Sequence, residues 1–229
     1  MPRAARFTPE LFRFLRELAA NNRRDWFHAN KERYEAHVRG PMLRFIADFA
    51  PLLRKISRSF VADPSPVGGS LFRIHRDIRF SKDKSPYKTA AAAHFRHAAA
   101  RDVHAPGFYL HLSPGSVFMG VGLWHPDPPA LAKVRSAIVA KPARWGSALA
   151  GGGFKARFAL VGEALARPPR GFDPEHPLIE DLKRTDFVAT ASFSEKAACA
   201  PDFLARFAEA SRLGTPLVRF LTEALELPF

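Results

Sequence analysis

The chain has 229 residues, of which 47% are hydrophobic and 21 are Phe, so one large domain with a sizeable core is expected and disorder is excluded. A single cysteine, Cys199, excludes an internal disulfide and a thiolate zinc site. The sequence has neither a long apolar run nor an apolar leader, which predicts a cytoplasmic protein without a membrane partner. The formal net charge of +13 favours an anionic partner.

Helical periodicity dominates the first sixty or so residues. Thr8 suits the N-cap of a first helix, and Pro9 suits its first position because a missing N–H is no loss there. Further helices are expected to begin near Asp25 and at Pro41. Pro51 should kink or divide the helix that begins at Pro41.

A proline- and glycine-rich break at 63–70 ends the helical part, and period-two alternation follows it. The expected strands of the middle of the chain are 70–80, 91–97, 107–113 and 116–124. A helix from Asp127-Pro128 and a short helix over 142–149 are expected next. Two strands should follow, over 154–161 and 187–193, with a short helix over 178–184 between them. Two helices should close the chain, one over 202–212 and one from Thr215-Pro216.

These elements predict a single α+β domain over residues 1–229. Its antiparallel-rich sheet comes from the middle of the chain, and N-terminal and C-terminal helices pack on it. We divide the chain into a helical segment over about 7–60, a strand-rich core over about 70–124 and a mixed part over 127–229.

The stretch Arg73–Lys88 concentrates charge in sixteen residues: six Lys and Arg, a histidine and two carboxylates, together with a tyrosine. Written as R-x-x-R-D-x-R-F-x-x-D-K-x-x-Y, it resembles the signature of a bacterial and fungal family known as domain of unknown function 2461. The flanking segments at 21–27 and 106–111 also resemble that family. The resemblance implies a shared fold over nearly the whole chain and brings no activity with it.

Strand alternation assigns the residues of this stretch to two faces. One face is apolar except for Arg76 and contains Phe72, Ile74, Ile78 and Phe80; the other is wholly ionisable and contains Arg73, His75, Asp77 and Arg79. We therefore expect Arg76 to be largely buried and paired with a carboxylate, because an unpaired arginine among large apolar groups loses hydration at a cost of several kcal/mol. Arg73 and Arg79 should be more exposed.

The positive charge lies almost entirely in the first half of the chain. Residues 1–101 hold 21 Lys and Arg against 9 Asp and Glu, whereas residues 102–229 hold 14 against 13. Codon bias explains an excess of Arg over Lys but does not explain why only one half lacks acids. The charge predicts an anion site that contains Arg73, Arg76, Arg79, Lys82, Lys84 and Tyr87. The alternative is an internal network in which carboxylates neutralise these arginines.

The hairpin with Pro114-Gly115 at its turn predicts a second candidate surface. It pairs Tyr109 with Gly120 and His111 with Phe118, so aromatic and imidazole rings flank two bare glycines. Such a slot admits a ligand or the close approach of another backbone, and a helix packed into it is the alternative.

Catalytic and metal-binding residues give weaker signals. His75 with Asp77 is one candidate pair for general acid and base, and His111 is a rival. His94, His97 and His104 do not have the spacing of a metal motif, so we expect no metal, and no motif indicates a cofactor.

Three classes of function remain open at this point. The protein binds a phosphate-bearing ligand or nucleic acid through the basic strand and loop, it is an enzyme that acts on a phosphorylated or carboxylated small molecule, or it is a structural protein braced by an Arg–Asp network. The sequence leaves the oligomeric state open.

Overall fold

The computed structural model describes residues 5–99, 105–151 and 153–229. His104, which the sequence offered for a metal site, lies outside these residues. Within them, no helix is both long and apolar enough to cross a membrane. The described chain contains ten α-helices: α1 Pro9–Ala20, α2 Arg24–Ala29, α3 Lys31–Tyr34, α4 Gly40–Ile56, α5 Pro128–Ala140, α6 Pro142–Ala150, α7 Phe154–Arg157, α8 Ile179–Leu182, α9 Glu195–Ala198 and α10 Phe203–Ala224.

A five-stranded antiparallel sheet occupies the middle of the chain, and the order of its strands is β1-β2-β3-β5-β4. Its strands are β1 Ala91–Arg96, β2 Gly107–Ser113, β3 Ser116–Leu123, β4 Ala159–Val161 and β5 Phe187–Phe193. The predicted hairpin register is confirmed, because Tyr109 pairs with Gly120 and His111 with Phe118. With helices at both ends of the chain, this sheet confirms a single-domain α+β protein.

The second predicted helix is divided at Asn30 into α2 and α3, and its second part runs without a break into the third predicted helix. A π-helical turn, Glu35–Arg39, joins α3 to α4, and the Gly40 N–H donates to the carbonyl five residues back. Pro41 gives the reason for this wide turn, since it has no N–H to offer to the preceding turn. Pro51 lies inside α4 and does not divide it.

Two predictions in the C-terminal half are wrong. The segment 154–161 begins as the helix α7, and only its last three residues form a strand. The two closing helices are one helix, α10, with Pro216 inside it. The Thr215 hydroxyl, expected to cap a new helix, instead donates to the Ser211 carbonyl at 2.8 Å within the same helix.

One face of the sheet forms the core with α10 and α4. Alternate strand residues point into it, and aromatic rings fill the space between sheet and helices. The Phe49 ring lies 4.8 Å from that of Phe95 on β1 and 5.0 Å from that of Phe207 on α10. All three are fully buried, and each such ring contributes about 1.5–3 kcal/mol through burial.

The predicted strand over 70–80 is wrong. This part of the chain is extended but irregular and touches the sheet through one isolated bridge, between Leu71 and Ala93. Residues 73–88, here called the signature segment, fold back on themselves: His75 bridges Tyr87, and the Arg76 N–H donates to the carbonyl of residue 86 at 2.9 Å. The intervening loop leaves the sheet.

The apolar face predicted for this strand is therefore wrong at its far end. Phe80 is 94% exposed, although it was expected to point inward with Ile74 and Ile78. Ile74, which lies before the loop, is buried. The period-two pattern is real, but among the described residues no partner strand continues beyond residue 76. The alternating residues after it are therefore not held in a sheet with one buried face.

Candidate functional site

The other face of the sheet carries three rows of residues that run across the strands. The central row is His94, Tyr109, Gly120 and Thr190. The row on one side is Ala92, His111, Phe118 and Ser192, and the row on the other side is Arg96, Gly107, Gly122 and Val188. Three of these twelve positions are glycine, so part of this face has no side chains to fill it. We call the surface around Gly107, Gly120 and Gly122 the glycine floor.

A cavity of about 630 Å³ opens over this face, and we call it the sheet-face cavity. Phe72 and Lys88 line it beside the β1 edge, while Trp124 and Val161 line the far side. Within the described residues no helix covers it, so the alternative of a helix packed into the slot is wrong. The cavity has the size and the largely apolar wall of a small-molecule site.

The signature segment and the residue before it bring Lys88 and Phe72 to this cavity. The Phe72 N–H donates to the Ala92 carbonyl of β1 at 2.9 Å, and the Lys88 N–H donates to the Ile74 carbonyl at 2.8 Å. The Phe72 ring then lies 6.2 Å from that of Tyr109, in an edge-to-face contact.

Asn22 anchors the segment from the helical side. Its side-chain amide donates to the Tyr87 carbonyl at 3.0 Å, and its amide oxygen accepts from the Tyr87 N–H, also at 3.0 Å. The Tyr87 ring stacks on that of Phe27 at 4.1 Å and is 3% exposed. Tyr87, predicted in the anion site, is therefore a core residue whose ring no ligand in solution can reach. Its packing fixes the backbone next to Lys88.

Lys88 is a cation without a carboxylate partner. Within the described residues it forms no salt bridge, and its ammonium lies 5.2 Å from the centre of the Phe72 ring. Burial, and secondly the charge of Arg73, lower the pKa of Lys88 below its ordinary value. The charged amine is thus disfavoured by its surroundings, and an anion in the cavity would relieve that cost.

The ionisable rings of the cavity wall are neutral at pH 7. Burial lowers the pKa of His94 to about 4, with a smaller contribution from Arg96, and burial also lowers the pKa of His111. The same cause raises the pKa of Tyr109 to about 12. The cavity therefore presents neutral hydrogen-bonding groups on its wall and a lysine at its rim.

The structure separates the predicted arginines from one another. Arg76 is half-buried rather than largely buried; it pairs with Asp83 and donates to the Ser85 carbonyl at 3.2 Å. Arg79 is exposed and pairs with Asp77 at 2.7 Å. These two short-range pairs are part of the network that was the alternative prediction, although no helix carboxylate joins them among the described residues.

The remaining cations of the predicted anion site stay open to solvent. Arg73 and Lys82 are exposed and form no hydrogen bond or salt bridge within the described chain, and Lys84 donates to the Ile78 carbonyl at 3.0 Å. Arg73 is close enough to Lys88 to affect its pKa. Lys82 and Lys84 lie instead on the loop that carries Phe80.

The candidate acid–base residues lie in two places. His75 and Asp77 are both exposed, and no hydrogen bond joins them. The Asp77 carboxylate instead accepts hydrogen bonds from the side chain of Arg79. These bonds are the main reason that the pKa of Asp77 is lowered to about 2. His111 lies in the cavity wall, where Tyr109 is 3.0 Å from its Nδ1. Of the three candidates, only His111 has a site around it.

Sequence reasoning missed three polar residues of the cavity: Lys88, His94 and Thr190. Lys88 ends the signature segment, and its position directly after a buried tyrosine was the available signal. The histidine on β1 was examined only as a metal ligand. Its register with Tyr109 requires a strand pairing that the sequence does not specify.

The fold and the cavity define a single-domain α+β protein with a ligand-sized cavity on the sheet face that no helix covers in the described part of the chain. The chain belongs to the family described as conserved hypothetical protein (DUF2461), whose model matches residues 10–220. A comparison with curated proteins finds no match.

Proposed function

We propose that this protein binds a small organic anion in the sheet-face cavity. The apolar body of the ligand lies on the glycine floor, between Phe72 and Trp124, and its carboxylate or phosphate group pairs with Lys88. Arg73 adds positive potential at the rim. The observation that supports this most strongly is a half-buried lysine that faces a largely apolar cavity without an acid to balance it.

The physical reason for expecting an anion is that the positive charge of Lys88 is not balanced by an acid among the described residues. A lysine at a purely structural site gains a carboxylate partner or extends into water, because a desolvated ammonium costs free energy. Within the described residues Lys88 has no carboxylate partner and is only partly exposed to water, and Arg73 increases the imbalance. A charge-assisted hydrogen bond to a ligand is worth about 1.5–3 kcal/mol, which offsets this cost in the complex.

The test is isothermal titration calorimetry of the full chain against a panel of aromatic and aliphatic carboxylates and phosphates. Lys88→Met should weaken binding by about tenfold or more, in line with the loss of one charge-assisted hydrogen bond, and should not lower the melting temperature. Lys55→Met, at an exposed lysine at the end of α4, is the matched control and should bind as the parent does. Equal affinity of the Lys88 variant and the parent would contradict the proposal.

A second candidate is single-stranded nucleic acid bound by the loop of the signature segment. Phe80 is 94% exposed, and the Arg79 guanidinium lies 5.7 Å from its ring centre. Lys82 and Lys84 stand beside it. An exposed ring among cations suits the stacking of a base together with phosphate contacts, in keeping with the charge excess of the first half of the chain.

Fluorescence anisotropy with a labelled single-stranded oligonucleotide at several salt concentrations tests this candidate. Phe80→Ala should weaken binding by about fivefold or more, since one base stack is worth about 1–3 kcal/mol. Val67→Ala is the control, because Val67 is also exposed, at 89%, on a loop without cations. Replacement of both Arg73 and Arg79 should reduce the salt dependence. Binding without salt dependence, or equal losses in both alanine variants, would rule the loop out.

A further inference from the structure

A chain of hydrogen bonds runs along the cavity face of β2 towards the hairpin turn. The Tyr109 hydroxyl lies 3.0 Å from His111 Nδ1, and His111 Nε2 lies 3.3 Å from the Ser113 hydroxyl. That hydroxyl donates to the Ser116 carbonyl at 3.2 Å. The positions 109, 111 and 113 share one face because side chains alternate along a strand.

The donor and the acceptor of each hydrogen bond in this series follow from its last member, the Ser116 carbonyl. A carbonyl can only accept, so the single Ser113 proton points to Ser116, and the Ser113 oxygen must accept from His111 Nε2–H. A neutral imidazole carries one proton, which leaves Nδ1 as an acceptor. Tyr109 therefore donates its only proton to His111. Burial lowers the pKa of His111 and raises that of Tyr109, so both groups are neutral at pH 7 and the hydrogen bonds keep these directions.

The Tyr109 hydroxyl has no proton left to offer to the cavity. What remains available to a ligand is the lone-pair side of its oxygen, in a wall that is otherwise largely apolar. A ligand atom at that point must donate a hydrogen bond, since two acceptors placed together would leave both without a partner.

We propose that the sheet-face cavity selects organic anions that carry a hydroxyl or amino donor, and that Tyr109 accepts the hydrogen bond from this donor. Hydroxylated aromatic acids are the chemical class that combines the three features: an acid for Lys88, a flat body for the glycine floor and a donor for Tyr109. This inference rests on the proposed binding of an organic anion in the same cavity.

The first arm of the test needs no ligand. Long-range ¹H–¹⁵N correlation of the histidine rings at about pH 7.5, with His111 assigned from the His111→Leu variant, should show the neutral tautomer with the proton on Nε2. The opposite tautomer, with the proton on Nδ1, would free Tyr109 to donate and overturn the inference, whatever the cavity binds.

The second arm measures binding of matched pairs: 3- and 4-hydroxybenzoate and the corresponding methoxybenzoates, with the hydroxy- and methoxynaphthoates as larger members. The hydroxyl compounds should bind about three- to tenfold more tightly than their methoxy partners, as expected for one neutral hydrogen bond. Tyr109→Phe should remove that preference, and so should His111→Leu, because it frees the Tyr109 proton. Circular dichroism and melting temperature check that both variants are folded.

The outcomes separate the two proposals. If hydroxy and methoxy compounds bind equally, or if the preference survives in Tyr109→Phe, the selectivity inference fails while organic-anion binding stands. If no aromatic acid binds, or if binding does not depend on Lys88, the proposed function fails and the selectivity inference fails with it.

Discussion

His94 should make the stability of this protein depend on pH between about 4 and 6.5. Its ring is 9% exposed, lies across the strand pair from Tyr109 and makes no hydrogen bond within the described residues. Burial lowers the pKa of His94 from 6.5 to about 4 in the folded state. Between these two values the unfolded chain binds a proton at this position and the folded chain does not.

The sign and size of the effect follow from this difference. Above about pH 6.5 the ring is neutral in both states and contributes no pH dependence; as the pH falls towards 4, proton uptake favours the unfolded state. One pKa unit corresponds to about 1.4 kcal/mol, so the free energy of unfolding should fall by about 2.5 kcal/mol between pH 7 and about 4.5 through this group alone.

Urea unfolding, followed by tryptophan fluorescence at several pH values in this range, measures the effect. The parent should lose about 2.5 kcal/mol more than His94→Gln between pH 7 and about 4.5, because the variant has no group that titrates at this position. His28→Gln, at an exposed histidine on α2, should behave as the parent does. Parallel pH profiles for the parent and the His94 variant would refute the reasoning.

Three further predictions concern the scaffold of the site, each measured by chemical denaturation. Gly122→Ala should cost at least about 3 kcal/mol, because φ is +126° and a Cβ there would lie 2.0 Å from a backbone oxygen of β5; a cost under about 1 kcal/mol would contradict this geometry. Asn22→Asp should cost about 1–3 kcal/mol and speed amide exchange at Tyr87, since a carboxylate oxygen would face the Tyr87 carbonyl in place of a donor; unchanged exchange would count against the anchor. Arg76→Ala should cost about 1 kcal/mol and more than Arg79→Ala, because Arg76 is half-buried and holds the loop; equal effects would show that burial is irrelevant here.

The local features of the sequence predicted most of the fold. The alternation of 107–113 and 116–124 around Pro114-Gly115 specified a hairpin with its register, because a two-residue turn leaves one way to pair the strands. The bare glycines opposite Tyr109 and beside it likewise predicted a slot on one sheet face. Both inferences depend only on residues that are close in the sequence.

The tertiary structure decided what lies against those elements. The alternation at 70–80 predicted a strand, but a strand needs a partner, and this segment has only two isolated bridges, from Leu71 to Ala93 and from His75 to Tyr87. Asn22, 65 residues away in the sequence, holds Tyr87 in turn. In the same way, Pro216 indicated a helix start, although packing on the sheet carries α10 through it.

The candidate site shows the same division. The charge of the signature segment indicated an anion site, but which cation faces a cavity depends on distant contacts: the stacking of Tyr87 on Phe27 places Lys88 at the rim, while Arg76 and Arg79 take acids from their own loop. The sequence by itself determined most of the secondary elements, the positive charge and the glycines of the floor, since these are local properties. Only the tertiary structure decided that, among the residues it describes, no helix covers the floor and no acid pairs with the lysine at its edge, because burial and pairing depend on residues far apart in the chain.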